Sequence, residues 1–148
     1  MPDNIKKLEQ GRAKYAYKCV ENAIEKFPKK PDAKEASKDA KAFKSYSKKL
    51  PMMIKTNGLG AALAFALSKG KSDENTPWGL LYKQIHEWLK YEKQWLLGNN
   101  PPTDLSKAAI NLDSQEYRAL TVEVLAFLNW LRRFAEGLIE GEADDNGS

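Results

Sequence analysis

Apolar residues recur every three or four positions in nearly every segment between the proline and glycine breaks, and no segment alternates apolar with polar residues. This is the period of an amphipathic α-helix rather than of a β-strand. The pattern therefore predicts an all-α protein, a single compact bundle of about six helices that spans residues 1–148 as one domain. Residues 142–148 are expected to form a frayed acidic tail.

The breaks set the predicted helix boundaries. The first helix is expected from about Asn4 to Phe27, and the second opens at Asp32, which forms a capping-box pattern with Glu35. Pro51 should kink or restart the second helix, because proline cannot donate to the preceding turn. The other helices are expected at about residues 59–70, 76–96, 103–111 and 113–141.

Two of these helices have distinctive patterns. The third is apolar nearly all round, which is typical of a buried helix. The last opens at Asp113, which repeats the capping-box pattern with Glu116.

The inventory of reactive side chains argues against an enzyme. With Cys19 and His86 as the single residues of their types, neither an intrachain disulfide nor a multi-histidine metal site can form. Carboxylates are scattered without metal-ligand spacing, so no metal is expected. No cofactor is expected either. Gly58 and Gly60 superficially match a dinucleotide-binding fingerprint, but no strand precedes them. Without a signal peptide or a membrane-spanning run, the protein is expected to be cytoplasmic.

The net charge of +4 conceals an uneven distribution along the chain. Residues 1–71 contain 17 Lys+Arg and 7 Asp+Glu, whereas residues 72–148 contain 7 and 13. The first part could therefore face a polyanion while the second faces protein or water. A solvated lysine-rich surface is the alternative.

Lysines gather on one side of the predicted second helix. Helical spacing places Lys34, Lys38, Lys41 and Lys48 opposite its apolar stripe, with Lys44 and Lys49 at the margins. The acidic residues of this segment fall on another side and are not expected to neutralise the ridge. The ridge extends about 21 Å, enough to follow several phosphates of a nucleic-acid backbone. A solvated helix face remains the alternative.

Three residues are candidates for a subunit interface. Trp88 and Trp95 widen the apolar face of the fourth helix beyond what one core requires, although core packing would also explain them. Arg12 falls on the apolar stripe of the first helix, so its charge needs either a buried carboxylate or a neighbouring subunit.

The segment from Tyr46 to Phe65, YSKKLPMMIKTNGLGAALAF, resembles the signature of the small subunit of the type III-B (Cmr) CRISPR effector complex. Residues 8–13 resemble that family's N-terminal helix, and residues 78–89 resemble a later helix that contains tryptophan and leucine. The resemblance implies an all-α protein without catalytic activity of its own. Such subunits stack beside the backbone subunits of an RNA-guided complex in antiviral defence, lining the groove where guide RNA pairs with target RNA.

The resemblance also implies binding residues and partners. Carried over to this chain, the binding block covers Lys48, Lys49, Lys55 and Asn57, which overlaps the lysine ridge. The implied partners are other Cmr subunits, both backbone and neighbouring small subunits, together with guide and target RNA. Two other functions stay open: a helical adaptor that binds only protein, and a concealed nuclease.

Overall fold

Six α-helices make up the part of the chain that the computed structural model describes, namely residues 2–93, 96 and 104–143, with side chains from residue 6 onward. These ranges contain no β-strand, which confirms the predicted all-α class. None of the helices there has the length and apolarity needed to cross a membrane. The helices are α1 (Pro2–Lys26), α2 (Lys38–Asn57), α3 (Leu59–Gly70), α4 (Pro77–Glu92), α5 (Leu105–Ile110) and α6 (Ser114–Leu138).

The start of α2 differs from the prediction. The helix begins after Ser37 instead of at Asp32, because the Ser37 hydroxyl accepts a hydrogen bond from the amide of Ala40 (3.1 Å). The same hydroxyl donates to the carbonyl of Phe27 (2.8 Å), just beyond α1. The cap is therefore fixed by a contact between two helices, and the predicted capping box of Asp32 and Glu35 is wrong.

The interior of α2 and the burial of α3 also differ from expectation. Of the kink or restart predicted at Pro51, the restart is wrong, because α2 continues through this residue to Asn57. The third helix is buried on one side only, and Phe65 remains 37% exposed. The aromatic ring of Phe65 instead packs edge-on against Trp78, with centroids 5.4 Å apart.

Two helices end earlier than predicted. The fourth helix does not extend to Leu96, because the backbone leaves the helical conformation at Lys93. The last helix ends at Leu138 instead of Gly141, and Ile139 is extended. By contrast, the capping box of Asp113 and Glu116 that opens α6 is confirmed.

Helix α6 occupies a central position, because it packs against α1 on one side and α2 on the other. Helices α3 and α4 pack against each other and against α2, and α5 lies against α3. The core contains two stacked aromatic pairs. The ring centroids of Tyr46 and Trp78 are 4.2 Å apart, and those of Trp88 and Phe127 are 5.6 Å apart.

The turn between α3 and α4 is held by a close backbone approach and by one carboxylate. A Cβ at Gly70 would lie 2.5 Å from the amide nitrogen of Gly79, so the crossing excludes side chains. Within the turn, Glu74 accepts a hydrogen bond from Lys26 of α1 (3.0 Å) and pairs with Lys83 of α4. Glu74 therefore joins the turn to two helices.

A buried ion pair joins α1, α4 and α6. The Arg12 guanidinium donates to both carboxylate oxygens of Glu123, at 2.9 and 2.7 Å. The indole N–H of Trp88 donates to the same carboxylate at 3.0 Å. The side chains of Arg12 and Glu123 are only 14% and 6% exposed. Of the two partners expected for Arg12, the structure contains the buried carboxylate.

Cys19 is a core residue of α1. Its side chain is buried, and burial raises the pKa of the thiol. The backbone carbonyl of the same residue accepts a hydrogen bond from the buried side chain of Gln84 (2.9 Å), which fixes α1 against α4.

Removing Arg12 is expected to destabilise the fold strongly. In Arg12→Ala the Glu123 carboxylate loses its cation inside the core, and breaking a buried pair in this way costs about 3 kcal/mol. Chemical denaturation should show this loss in the free energy of unfolding. The control Lys14→Ala, at an exposed position on α1, should change it by less than about 0.5 kcal/mol. Equal effects of the two substitutions would contradict the role assigned to the pair.

Acid is expected to weaken the attachment of the α3–α4 turn. Hydrogen bonds from Lys83 and Lys26 lower the pKa of Glu74 from 4.5 to about 2. Because the pKa of Glu74 is lower in the folded state, its ion pairs with Lys26 and Lys83 stabilise the fold above pH 4.5. This contribution is lost as the pH falls towards 2. Thermal unfolding between pH 2 and 5 should therefore depend less on pH in Glu74→Gln than in the wild type. The exposed control Glu21→Gln should retain the wild-type pH dependence.

Candidate nucleic-acid interface

An open groove of about 470 Å³ runs between α2 and α6. Its cationic residues come from both helices: Lys48 and Lys55 from α2, and Arg132 from α6. Glu136 contributes the one carboxylate among the lining residues. The full lining comprises Lys48, Pro51, Met52, Lys55, Leu125, Asn129, Arg132 and Glu136.

The cations of the groove differ in how strongly they are engaged. The Lys48 amine lies 2.5 Å from a Glu136 carboxylate oxygen, and this contact lowers the pKa of Glu136. Arg132 makes a long hydrogen bond of 3.4 Å to the amide oxygen of Asn129. Lys55 is exposed, and it lies about 10 Å along the helix from Lys48. This separation allows contact with more than one phosphate of the same strand.

The floor of the groove is apolar. Pro51 is buried, Leu125 is partly buried, and Met52 is 68% exposed. A flexible methionine side chain adapts to surfaces of different shape. The groove thus combines charge for an anionic backbone with an apolar surface that has no fixed hydrogen-bonding pattern.

The structure corrects the predicted lysine ridge in two respects. Lys34 lies in the loop before α2, so it is not on the helix that the spacing argument assumed. Lys41 pairs with Glu35 at 3.1 Å, which contradicts the expectation that acidic residues leave the ridge unneutralised. The helical spacing could not show this contact, because Glu35 also lies outside the helix.

Lys44 is the largest departure from the predicted ridge. Its side chain is 7% exposed, and the ammonium group donates to the carbonyls of Ile139 and Gly141, both at 3.0 Å. The Glu142 carboxylate lies 3.3 Å away. Lys44 is therefore inaccessible in this conformation, because the segment after α6 covers it.

The remaining predicted RNA-binding residues are exposed. Lys38 and Lys49 lie on α2, and Lys49 is 5.8 Å from the centroid of the Tyr46 ring. Asn57 is the last residue of α2, two residues beyond Lys55. The structure thus brings Lys48 and Lys55 together in the groove and leaves the other exposed candidates on neighbouring surfaces.

The predicted subunit-interface residues lie mainly in the interior. Trp88 is 3% exposed and stacks on Phe127, so it offers almost no surface to a partner. Arg12 is occupied by Glu123. The structure corrects the expectation of exposed interface residues at both positions, and core packing explains the wide apolar face of α4. Trp95 lies outside the described residues.

The contribution of α6 to the groove was not predicted from the sequence. Leu125, Asn129, Arg132 and Glu136 follow at spacings of four, three and four, which places them along one flank of the helix. This flank carries only one apolar residue, so it falls outside the core stripe.

The groove offers cationic, amide and apolar side chains to a ligand. None of its lining residues is a histidine, cysteine or serine that could act as a nucleophile or proton shuttle. Over the described residues, no group of three potential metal ligands is present. These features define a small helical protein whose basic groove can hold an extended anion.

Comparison with known proteins gives the family. The family described as CRISPR-associated protein (Cas_Cmr5) matches residues 8–138. The CRISPR system Cmr subunit Cmr5 of Thermus thermophilus is 34% identical over 98 residues, covering 66% of this chain and 75% of that protein. The X-ray crystal structure of a CRISPR-associated Cmr5 family protein from the same organism has a TM-score of 0.63 at 28% identity, covering 89% of this chain and 97% of that chain. This chain therefore belongs to the Cas_Cmr5 family, which confirms the resemblance of its central segment.

Proposed function

We propose that this protein is a non-catalytic small subunit of the type III-B Cmr effector complex, and that it binds the RNA backbone through the α2–α6 groove. Family membership supports the assignment to a Cmr complex. The observation that carries RNA binding is the convergence of Lys48, Lys55 and Arg132 from two helices on one groove. The proposal places the protein in the cytoplasm with the other Cmr subunits, including backbone and neighbouring small subunits.

The composition of the groove favours contacts that do not depend on base sequence. Lysine is a flexible point charge that contacts phosphate without a fixed geometry. Three of the eight lining residues, Pro51, Met52 and Leu125, are apolar and cannot read base edges by hydrogen bonds. Binding of this kind suits a complex that must accept any guide sequence and its target.

Exposed residues outside the groove extend the proposed RNA surface. Lys38, Lys49 and Asn57 continue along α2, and Lys34 lies in the preceding loop. Lys41 is partly exposed and paired with Glu35, so it can contribute only after exchanging its partner. We leave Lys44 out of the primary RNA surface, because it is buried.

Two exposed apolar side chains support the scaffold part of the proposal. Ile110 of α5 is 70% exposed, and Val122 of α6 is 62% exposed. Exposed apolar residues of this size are suited to protein contacts. The same observation favours a protein-only adaptor, and the two functions differ in their response to salt, because only phosphate contacts release condensed counterions.

Charge reversal in the groove tests the proposed function. Lys55→Glu/Arg132→Glu should weaken binding of a fluorescent oligouridylate, measured by anisotropy between about 50 and 200 mM salt. If the wild type contacts about four phosphates of a single strand, log K should fall with log salt at a slope of about −3. Loss of two contacts should reduce the slope by about 1.4. The control Lys14→Glu/Lys18→Glu makes the same charge change on α1, which does not line the groove. Equal weakening of RNA binding by the two double substitutions would contradict the proposal that the groove binds RNA.

Co-purification tests the assignment to a complex. A tagged wild-type chain expressed in its native host should retain other Cmr subunits and RNA. The groove variant should retain the protein partners while losing RNA from the assembled complex to a measurable extent. Recovery of protein partners without RNA by the wild type would favour the protein-only adaptor.

A further inference from the structure

The segment that follows α6 lies across the lysine-bearing side of α2. We call residues 139–143 the acidic strap. The Glu140 carbonyl accepts a hydrogen bond from the amide of Ala36, 3.0 Å away, and Ile139 is buried. The strap then places two carbonyls and the Glu142 carboxylate around the Lys44 ammonium group. The ligands of this ammonium group are all oxygens, as they would be in a complex with phosphate.

The lysines on either side of Lys44 on this face of α2 also pair with carboxylates. Lys41 pairs with Glu35, and Lys48 pairs with Glu136 near the end of α6. Lys41, Lys44 and Lys48 are spaced by three and four residues, so they share one side of α2. Three adjacent cations of this basic helix therefore have anionic partners, and the last of them also lines the groove.

The contacts of the strap suggest that it can be displaced. Beyond Ile139 its described contacts with α2 and the preceding loop are polar, and the Glu142 side chain is 76% exposed. The Glu142 carboxylate is therefore open to solvent, and its attraction to the buried Lys44 ammonium group weakens with salt. The family match ends at residue 138, so the strap lies outside the region that the chain shares with the family.

One glycine allows the strap to follow this path. Gly141 has φ +94°, a left-handed conformation that other residues adopt only with strain. A Cβ at this position would also lie 2.5 Å from a Glu35 carboxylate oxygen. A substitution at Gly141 should therefore dislodge the strap without changing its charge.

We propose that the acidic strap is an intramolecular competitor for RNA, which covers Lys44 until RNA phosphates displace residues 140–143. This inference rests on the proposed RNA-binding function and adds an autoinhibitory contact to it. Displacement exchanges the carbonyl and carboxylate partners of Lys44 for phosphate oxygens. The exposed lysine then extends the binding surface of the groove along α2.

The test compares two glycine variants that leave the charge unchanged. Gly141→Val is expected to release the strap, whereas the control Gly137→Val alters an exposed α6 position where an added Cβ meets nothing within 4 Å. Oligouridylate binding should become about threefold tighter or better in Gly141→Val, and the salt slope should steepen by about 0.7 for one added phosphate contact. Gly137→Val should bind as the wild type does.

Acylation of lysine amines, followed by mass spectrometry, measures directly whether the strap covers Lys44. Lys44 should react slowly in the wild type, faster in Gly141→Val, and slowly again when that variant is saturated with oligouridylate. Gly141→Ala, which puts a smaller side chain at the same strained φ, provides a second released form if Gly141→Val does not fold, as judged by thermal unfolding. Two results would contradict the proposed role of the strap. Lys44 could stay protected from acylation in the released forms, or it could react readily while the RNA affinity of those forms equals that of the control.

The groove variant Lys55→Glu/Arg132→Glu, measured in parallel, separates the two proposals. If this variant weakens RNA binding while release of the strap changes nothing, only the proposal that the strap competes with RNA is rejected. If the variant leaves RNA binding unchanged while release of the strap strengthens it, the groove is rejected as the RNA site and the role of the strap is retained.

Discussion

The buried contact of Arg12 and Trp88 with Glu123 fixes the rotation of α6 about its own axis. Glu123 faces α1 and α4, because its carboxylate accepts hydrogen bonds from Arg12 and Trp88 there and an unpaired buried charge would be costly. Arg132 lies nine residues further along, which is about 180° around a helix. With Glu123 turned inward, Arg132 is therefore directed to the opposite side, where α2 supplies the other cations of the groove. The geometry of the candidate site thus depends on an ion pair that is not part of it.

The same contact explains why Arg12 and Trp88 lie in the interior, although the sequence predicted them at a subunit interface. A helical wheel shows that Arg12 and Trp88 lie on or beside apolar stripes, but it does not show how many neighbours cover those stripes. Helix α4 is covered by α1 as well as by α2 and α3, so a wide apolar face is needed within one molecule. The charge of Arg12 is compensated by a residue 111 positions away in sequence, which no local pattern reveals.

Helix periods and local caps could be predicted because they depend on neighbouring residues. The capping box of Asp113 and Glu116 is such a feature, since both partners lie within four residues. The start of α2 is not, because Ser37 is selected as the cap partly by its bond to Phe27. Lys44 shows the same limit, since helical spacing predicted a surface position, and a segment almost 100 residues later covers it. Lys48 and Lys55 were found from sequence, whereas Arg132 required the packing of α6 on α2.

The inert state of Cys19 has a practical consequence for studies of the assembled complex. This is the one cysteine of the chain, and its thiol is buried with a raised pKa, so little of the reactive thiolate is present at neutral pH. A second cysteine placed on the surface would consequently be the dominant site for maleimide dyes or spin labels. The natural sequence can thus serve directly as the background for distance measurements, without first replacing a core residue of α1.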